Sequence, residues 1–298
     1  MYCYLKLNII LIFWEAIMNK IKITCDSTCD LTRELYEKYD IEVIPLEINL
    51  SGEFYRDSID ITAEKIFEYV KETGVLPKTA AISMAKYGEF FKKYTDEGYS
   101  VIHINISSEF SACYQNATNA AKELQGVYTI DSRNLSSGSG HLVLAAAEMA
   151  LEGMEASAIA DKLNEIKEKL DVSFVLQTLD YLKKGGRCSS LAALGASILQ
   201  LCPEIEVVEG TMRPRRKYRG KIKKTISDYI KGRLGGRDDI DLKRVFITHS
   251  GVPSEIVEEM KSLVLELQPF TEIIETVAGC TVSSHCGPEC LGVLFFTK

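Results

Sequence analysis

The chain reads as a two-domain α/β protein: an N-terminal three-layer α/β/α domain on a parallel sheet, then a C-terminal α/β domain on a mixed, partly antiparallel sheet. Three observations predict this. At 298 residues it exceeds the roughly 100–200 residues of a usual single domain. From Lys20 to Glu152, short strand-like runs alternate with helix-like stretches, which is the rhythm of a parallel sheet covered by helices. Beyond residue 170 the strand-like runs crowd together, and Glu209-Gly210-Thr211 between two of them reads as a hairpin turn, so this half needs antiparallel pairing. The predicted boundaries are 1–18 for an N-terminal extension, 19–153 for the first domain and 154–298 for the second.

The elements follow in order. Lys20 to Cys25 alternates Lys-Ile-Lys-Ile-Thr-Cys as a half-buried strand does, and Asp26-Ser27-Thr28-Cys29-Asp30-Leu31-Thr32 then supplies several helix caps before a helix at 33–39. The spacing predicts a strand at 41–50, helices at 63–73 and 86–96, a strand at 99–106, a helix at 112–125, a strand at 127–131 and a helix at 139–152. After Gly153 a further helix runs to about residue 170. Strands are predicted at 172–177, 204–209, 211–219, 243–249, 270–276 and 291–297, and a flexible loop at 232–241.

Composition narrows the function classes. Hydrophobic residues at 46% and charged residues at 26% describe an ordinary globular chain. A formal charge of −7 argues against nucleic acid as a partner, because phosphate binding needs a positive surface. Nine cysteines, an odd number, in a chain too large to need disulfide staples point to reduced thiols and a cytoplasmic location. Residues 8–14 form an apolar run that superficially resembles a signal peptide. It is too short to span a bilayer, Glu15 follows it, and no small-x-small cleavage site appears. A start assigned too far upstream is the expected explanation, with a weak membrane anchor as the alternative.

No Walker loop, G-x-G-x-x-G, G-x-S-x-G or H-E-x-x-H motif occurs. Instead, hydroxyl- and glycine-rich turns follow the strands: Asp26-Ser27-Thr28, Ser107-Ser108-Glu109-Phe110-Ser111, Asp131-Ser132 with Ser136-Ser137-Gly138-Ser139-Gly140, and Ser283-Ser284-His285-Cys286-Gly287-Pro288. Hydroxyls and free amides at helix starts make anion sites. Ser and Thr also cap helices everywhere, so any one of these turns reads first as a cap.

Their combination resembles a known family. Asp26-Ser27-Thr28-Cys29-Asp30, Thr79-Ala80-Ala81-Ile82-Ser83, Ser107-Ser108 with Ser111, Asp131-Ser132 with Gly138 and Gly140, Leu179-x-x-Leu182-Lys183-Lys184-Gly185-Gly186-Arg187, Glu209-Gly210 and His285-Cys286-Gly287-Pro288 fall in the order and spacing of the DegV family over residues 20–298. The resemblance implies a lipid carrier with no catalytic apparatus and no cofactor. A long-chain fatty acid would lie in a hydrophobic tunnel between the domains, its carboxylate presented to a separate fatty acid kinase after transient membrane contact. It implies Thr79, Ser111 and His285 as the carboxylate contacts, with Ser27, Ser83, Ser108 and Gly287 as supporting positions. The family's Thr-Ser-Gln-Pro-Ser, Ser-Gly-Thr and His-Thr-Gly-Pro-Gly patterns are here Thr79-Ala80-Ala81-Ile82-Ser83, Ser111-Ala112-Cys113 and His285-Cys286-Gly287-Pro288-Glu289. Both hydroxyl ligands remain, so the changes bear on chain-length or headgroup preference. A cationic His285 would strengthen the grip and make binding weaken as pH rises. His103, in an apolar strand, reads as a core residue; His141 and His249 stay open.

Other readings compete. Arg213, Arg215, Arg216, Lys217, Arg219, Lys221, Lys223 and Lys224 lie within twelve residues that hold no acid. They form either a solvated face or, with Arg187, a docking surface for an acidic kinase or anionic headgroups. Gly185-Gly186 reads as a tight turn. Cys280, Cys286 and Cys290 beside His285 invite a metal, but their gaps miss the C-x2-C pattern of zinc sites, and no metal is expected. An enzyme or sensor for a phosphorylated or carboxylated metabolite, with His285 or Asp131 as acid or base, is the rival class.

Overall fold

The computed structural model describes residues 20–187 and 201–298. The apolar run at 8–14 and the expected 1–18 extension fall outside them. In chain order the first half contains β1 (Ile21–Asp26), α1 (Arg33–Lys38), β2 (Glu42–Ile44), β3 (Glu47–Leu50), β4 (Glu53–Arg56), α2 (Ala63–Thr73), β5 (Lys78–Ala80), α3 (Met84–Thr95), β6 (Ser100–Asn105), α4 (Cys113–Ala121), β7 (Val127–Asp131), α5 (Ser137–Leu151) and α6 (Ala156–Ile166). The second contains β8 (Leu170–Val175), α7 (Asp180–Lys184), β9 (Cys202–Val208), β10 (Thr211–Tyr218), α8 (Ile222–Leu234), β11 (Ile240–Ser250), α9 (Ser254–Leu267), β12 (Glu272–Val277), α10 (Cys280–Cys286) and β13 (Cys290–Thr297).

Four parallel strands in the order β2-β1-β6-β7 form the first sheet. β1 and β6 are buried along almost their whole length, as central strands covered on both faces must be. The expected strand at 41–50 is instead two. Pro45 has no N–H to give a ladder, so β2 ends before it and β3 joins a separate antiparallel sheet in the order β4-β3-β5. That small sheet was not anticipated, and it carries Thr79.

The second sheet is mixed, in the order β10-β9-β8-β13-β11-β12. Only β11 and β12 pair in parallel, joined by α9; the other neighbours are antiparallel. Glu209 and Gly210 take φ of 52° and 78°, the left-handed pair that a two-residue hairpin needs. Their backbone reaches the first half: Ser107 Oγ donates to Gly210 O at 2.9 Å, and Arg133 donates to Glu209 O. The helix α8 runs to Leu234, which shortens the expected loop at 232–241 to the turn before Ile240.

Two features join the halves. α5, Ser-Gly-Ser-Gly-His-Leu-Val-Leu-Ala-Ala-Ala, is buried from Ser137 through Leu144. Apolar around its circumference, it must be covered on all sides; residues of β1, β6, β8 and β13 share its cluster. The second feature is a pair of carboxylates. Asp30 and Asp57, 5% and 1% exposed, reach from the first half to the start of α10. Asp30 Oδ1 accepts from Gly279 N at 2.9 Å, Asp57 Oδ1 from Cys280 N at 2.8 Å and Asp57 Oδ2 from Thr281 N at 3.3 Å. These three amides are unpaired donors at a helix start, where negative charge is favoured. Gly279 lets both acids approach, since a Cβ there would lie 2.9 Å from Asp30 Oδ1. Ser27 and Ser136 hydroxyls complete the acids from behind. Burial holds the Asp30 carboxyl well above the usual carboxylate range, and the Asp57 charge adds to the rise.

Asp57→Ala strips two buried amides of their acceptor, and the variant is expected to lose about 3 kcal/mol of unfolding free energy in urea titration. An unchanged midpoint would show that α10 is held by other contacts.

Candidate functional site

The small sheet, the β6–α4 loop, the β9–β10 hairpin and α10 enclose a cavity of about 230 Å³. Its walls are mostly apolar, with Leu46, Ile106, Phe110, Leu135, Met212 and Val282 among them, and Arg187 is the one charged side chain among the described lining residues. Thr79, Ser111 and His285, separated by up to 206 positions in sequence, all face it. On β5, register places Thr79 opposite Ile48 of β3. Its Oγ1 shares a 2.9 Å hydrogen bond with Nε2 of His285, the penultimate residue of α10. The Ser111 hydroxyl accepts from Cys113 N at 3.3 Å and lies 3.2 Å from Cys113 Sγ. It sits half-buried in the turn before α4, and its proton, here given to the weak acceptor Cys113 Sγ, is the one a stronger acceptor in the cavity would take.

Burial pushes His285 down to about 4, with the nearby Arg187 guanidinium adding to the fall. The expected cationic ring is therefore neutral at physiological pH, because an apolar wall disfavours the charged form. Positive charge comes from Arg187, which donates to Gly185 O at 2.8 Å and Phe110 O at 3.4 Å. No carboxylate is in ion-pair range of it among the described residues. Arg187 thus sits in the cavity wall.

The supporting positions lie elsewhere. Ser27 donates to Asp57 Oδ2 and accepts from Leu46 N, Ser108 donates to Asp131 Oδ2 at 2.6 Å, and exposed Ser83 caps α3 through Lys86 N. Gly287, at φ 75°, ends α10; a Cβ there would lie 2.7 Å from the Tyr181 ring, so its absence lets α7 pack against α10. Among the basic residues, Arg213 pairs with Glu209 and Arg215 with Glu204 and Glu206, while Arg216 and Arg219 are exposed. Cys280 Sγ donates to Ile61 O, and no group of three or more His, Cys, Asp or Glu side chains converges among the described residues.

Leu135, Val282 and Cys286 also line a second, narrow apolar space of about 30 Å³ between α10 and the mixed sheet, walled by Phe174, Leu294, Cys290 and Ala278, so the two spaces lie side by side. Sequence reasoning missed Thr281, Met212 and Leu135 in these walls; nothing in their spacing marks them.

Comparison with known proteins decides the family. A family model described as "Uncharacterised protein, DegV family" matches residues 20–298. The chain belongs to the DegV family. A DegV domain-containing protein of Clostridium perfringens is 34% identical over 286 residues, covering 93% of this chain and 99% of that one. The structure of a fatty-acid-binding DegV family protein from Thermus thermophilus matches with a TM-score of 0.84 at 29% identity, covering 94% of this chain and 100% of its own. A stearic-acid-binding protein from Eubacterium ventriosum matches at 0.83 and 25%, covering 93% and 98%. This DegV protein therefore has the two-domain α/β fold of those structures, with its parallel and mixed sheets in the expected halves. No helix among the described residues is long and apolar enough to cross a membrane.

The low His285 pKa has a sign that can be checked. The unfolded ring takes a proton below about 6.5 and the folded one only near 4, so stability falls as pH drops through that window and levels off beneath it. His285→Gln is expected to remove this part of the slope in urea titrations from pH 7 to 4, and the wild-type ring to titrate near 4 by NMR. A midpoint near 6.5 would place the ring in water.

Proposed function

We propose that this DegV protein is a fatty-acid carrier. Thr79, Ser111 and His285 hold the carboxylate, and the slot behind Leu135, Val282 and Cys286 takes the start of the acyl chain. The observation that carries the reading is the convergence of two hydroxyls and a neutral imidazole, with one guanidinium, at the mouth of an otherwise apolar cavity. Hydroxyls and a cation orient a carboxylate through charge-assisted hydrogen bonds. The tail supplies affinity: each methylene it buries contributes about 0.8 kcal/mol before the costs of binding. Relatives with this fold that are described as binding fatty acids support the same use here.

The geometry favours a carrier over a catalyst. Thr79 and His285 resemble a nucleophile and its base, but a working pair needs a third group to orient the ring. His285 Nδ1 has no hydrogen-bond partner among the described residues. Asp131, the other candidate acid or base, is engaged by Ser108 outside the cavity. A cytoplasmic carrier of this kind takes its lipid from a membrane and shows the carboxylate to a separate kinase. The exposed cations of β10 and the turn after it, Arg216 and Arg219 among them, are the surface an acidic partner would meet.

Native mass spectrometry after bacterial expression is expected to reveal a co-purifying species of fatty-acid mass, and delipidated protein to refill with palmitate or oleate. A phosphorylated metabolite, or a site that never refills, would exclude the carrier. Thr79→Ala with Ser111→Ala is expected to cut acyl phosphate formation by an added fatty acid kinase about tenfold or more, with the circular dichroism spectrum of the folded protein retained. Wild-type turnover would place the carboxylate elsewhere.

A further inference from the structure

We propose that Thr281 recognises an oxygen carried on the first carbons of the acyl chain, so that the site accepts 3-hydroxy fatty acids as well as plain ones. The inference rests on the carrier reading and names a substrate class for it. Thr281 lines the cavity and is 5% exposed, yet its hydroxyl has no hydrogen-bond partner among the described residues. Its neighbours on α10 are satisfied: Ser283 donates to Ala278 O at 3.0 Å and Ser284 to Cys280 O at 2.7 Å. Thr281 stands in the first turn, where no helical carbonyl lies one turn back to receive the hydroxyl. A buried hydroxyl left unpaired is destabilising and calls for a partner from outside the chain.

Its place on the helix indicates which part of the ligand that partner is. Thr281 and His285 are four residues apart on one face, with Cβ atoms about 5–6 Å from each other. The His285 ring extends to Thr79 on β5, whereas the Thr281 hydroxyl stays close to its own backbone. The two therefore serve different oxygens. Beside them, Val282 and Cys286 of α10 and Ala278 just before it wall the apolar slot, and Val282 and Cys286 line the main cavity together with Thr281, so a chain running from the carboxylate contacts toward the slot would run alongside Thr281. A hydroxyl there can both donate to and accept from the threonine.

Calorimetry on delipidated protein with hexadecanoate and with each enantiomer of 3-hydroxyhexadecanoate tests this, using wild type, Thr281→Val and Thr281→Ser. Wild type is expected to bind one enantiomer at least as tightly as hexadecanoate. Thr281→Val should weaken that enantiomer about tenfold while leaving hexadecanoate unchanged or tighter, and Thr281→Ser should restore it. A purely structural role would move both ligands together. Hexadecanoate bound with both hydroxy acids rejected, or equal shifts for the two ligand types in Thr281→Val, overturns the proposal and leaves the carrier reading standing. Failure of every ligand on wild type overturns the carrier reading itself.

Discussion

The structure turns on two buried acids pointing at three amides. α10 spans seven residues, Cys-Thr-Val-Ser-Ser-His-Cys, rich in types with modest helix propensity and too short to persist alone in water. It exists here because Asp30 and Asp57 receive its first amides and a cluster around Ile48, Ile61 and Ile66 receives Cys280. Both acids come from loops of the first half. The same contacts that make the helix thus fix the second half against the first, and they aim His285 at Thr79 across a junction that no sheet among the described residues bridges. Local structure, domain packing and site geometry share one cause.

That dependence explains what the sequence displays and what it hides. The alternation of β1, β6 and β7 with their helices is local, so the parallel sheet is legible. So is the hairpin at Glu209 and Gly210, whose backbone signs its own turn. The residues Thr79, Ser111 and His285, which the fold brings to one cavity, also stand out in the sequence because they lie in ordered motifs. The small sheet escapes notice because its three strands hold three or four residues each and Pro45 hides the break within what looks like one strand. α10 escapes because its stability is tertiary. Asp30 and Asp57 look like turn residues, and only the fold shows that they serve a helix some 220 positions or more away. Arg187 reads as part of a surface until the fold sets it in the cavity wall.

Electrostatics in the cavity runs opposite to what residue types suggest. A histidine beside an anion site reads as a cation, but the ring lies among Leu, Ile and Phe side chains and next to a guanidinium, and both disfavour a second positive charge. In the proposed carrier the permanently charged arginine would supply potential and the neutral groups direction, the latter already positioned by β5, the loop before α4, and α10.

The outer strand β10 has a consequence of a different kind. Among the described residues it is the edge of the mixed sheet, paired with β9 on one side only. Pro214 lies in its middle, its pairing slips between Pro214 and Lys217, and four cations stand along it. An open edge normally invites another strand to add on. A second copy of this chain approaching edge to edge would bring the same cations against these, with a missing amide and a broken register between them. The sheet is thereby closed to self-extension by repulsion and irregularity, while an acidic surface that does not ask for strand pairing meets no such barrier.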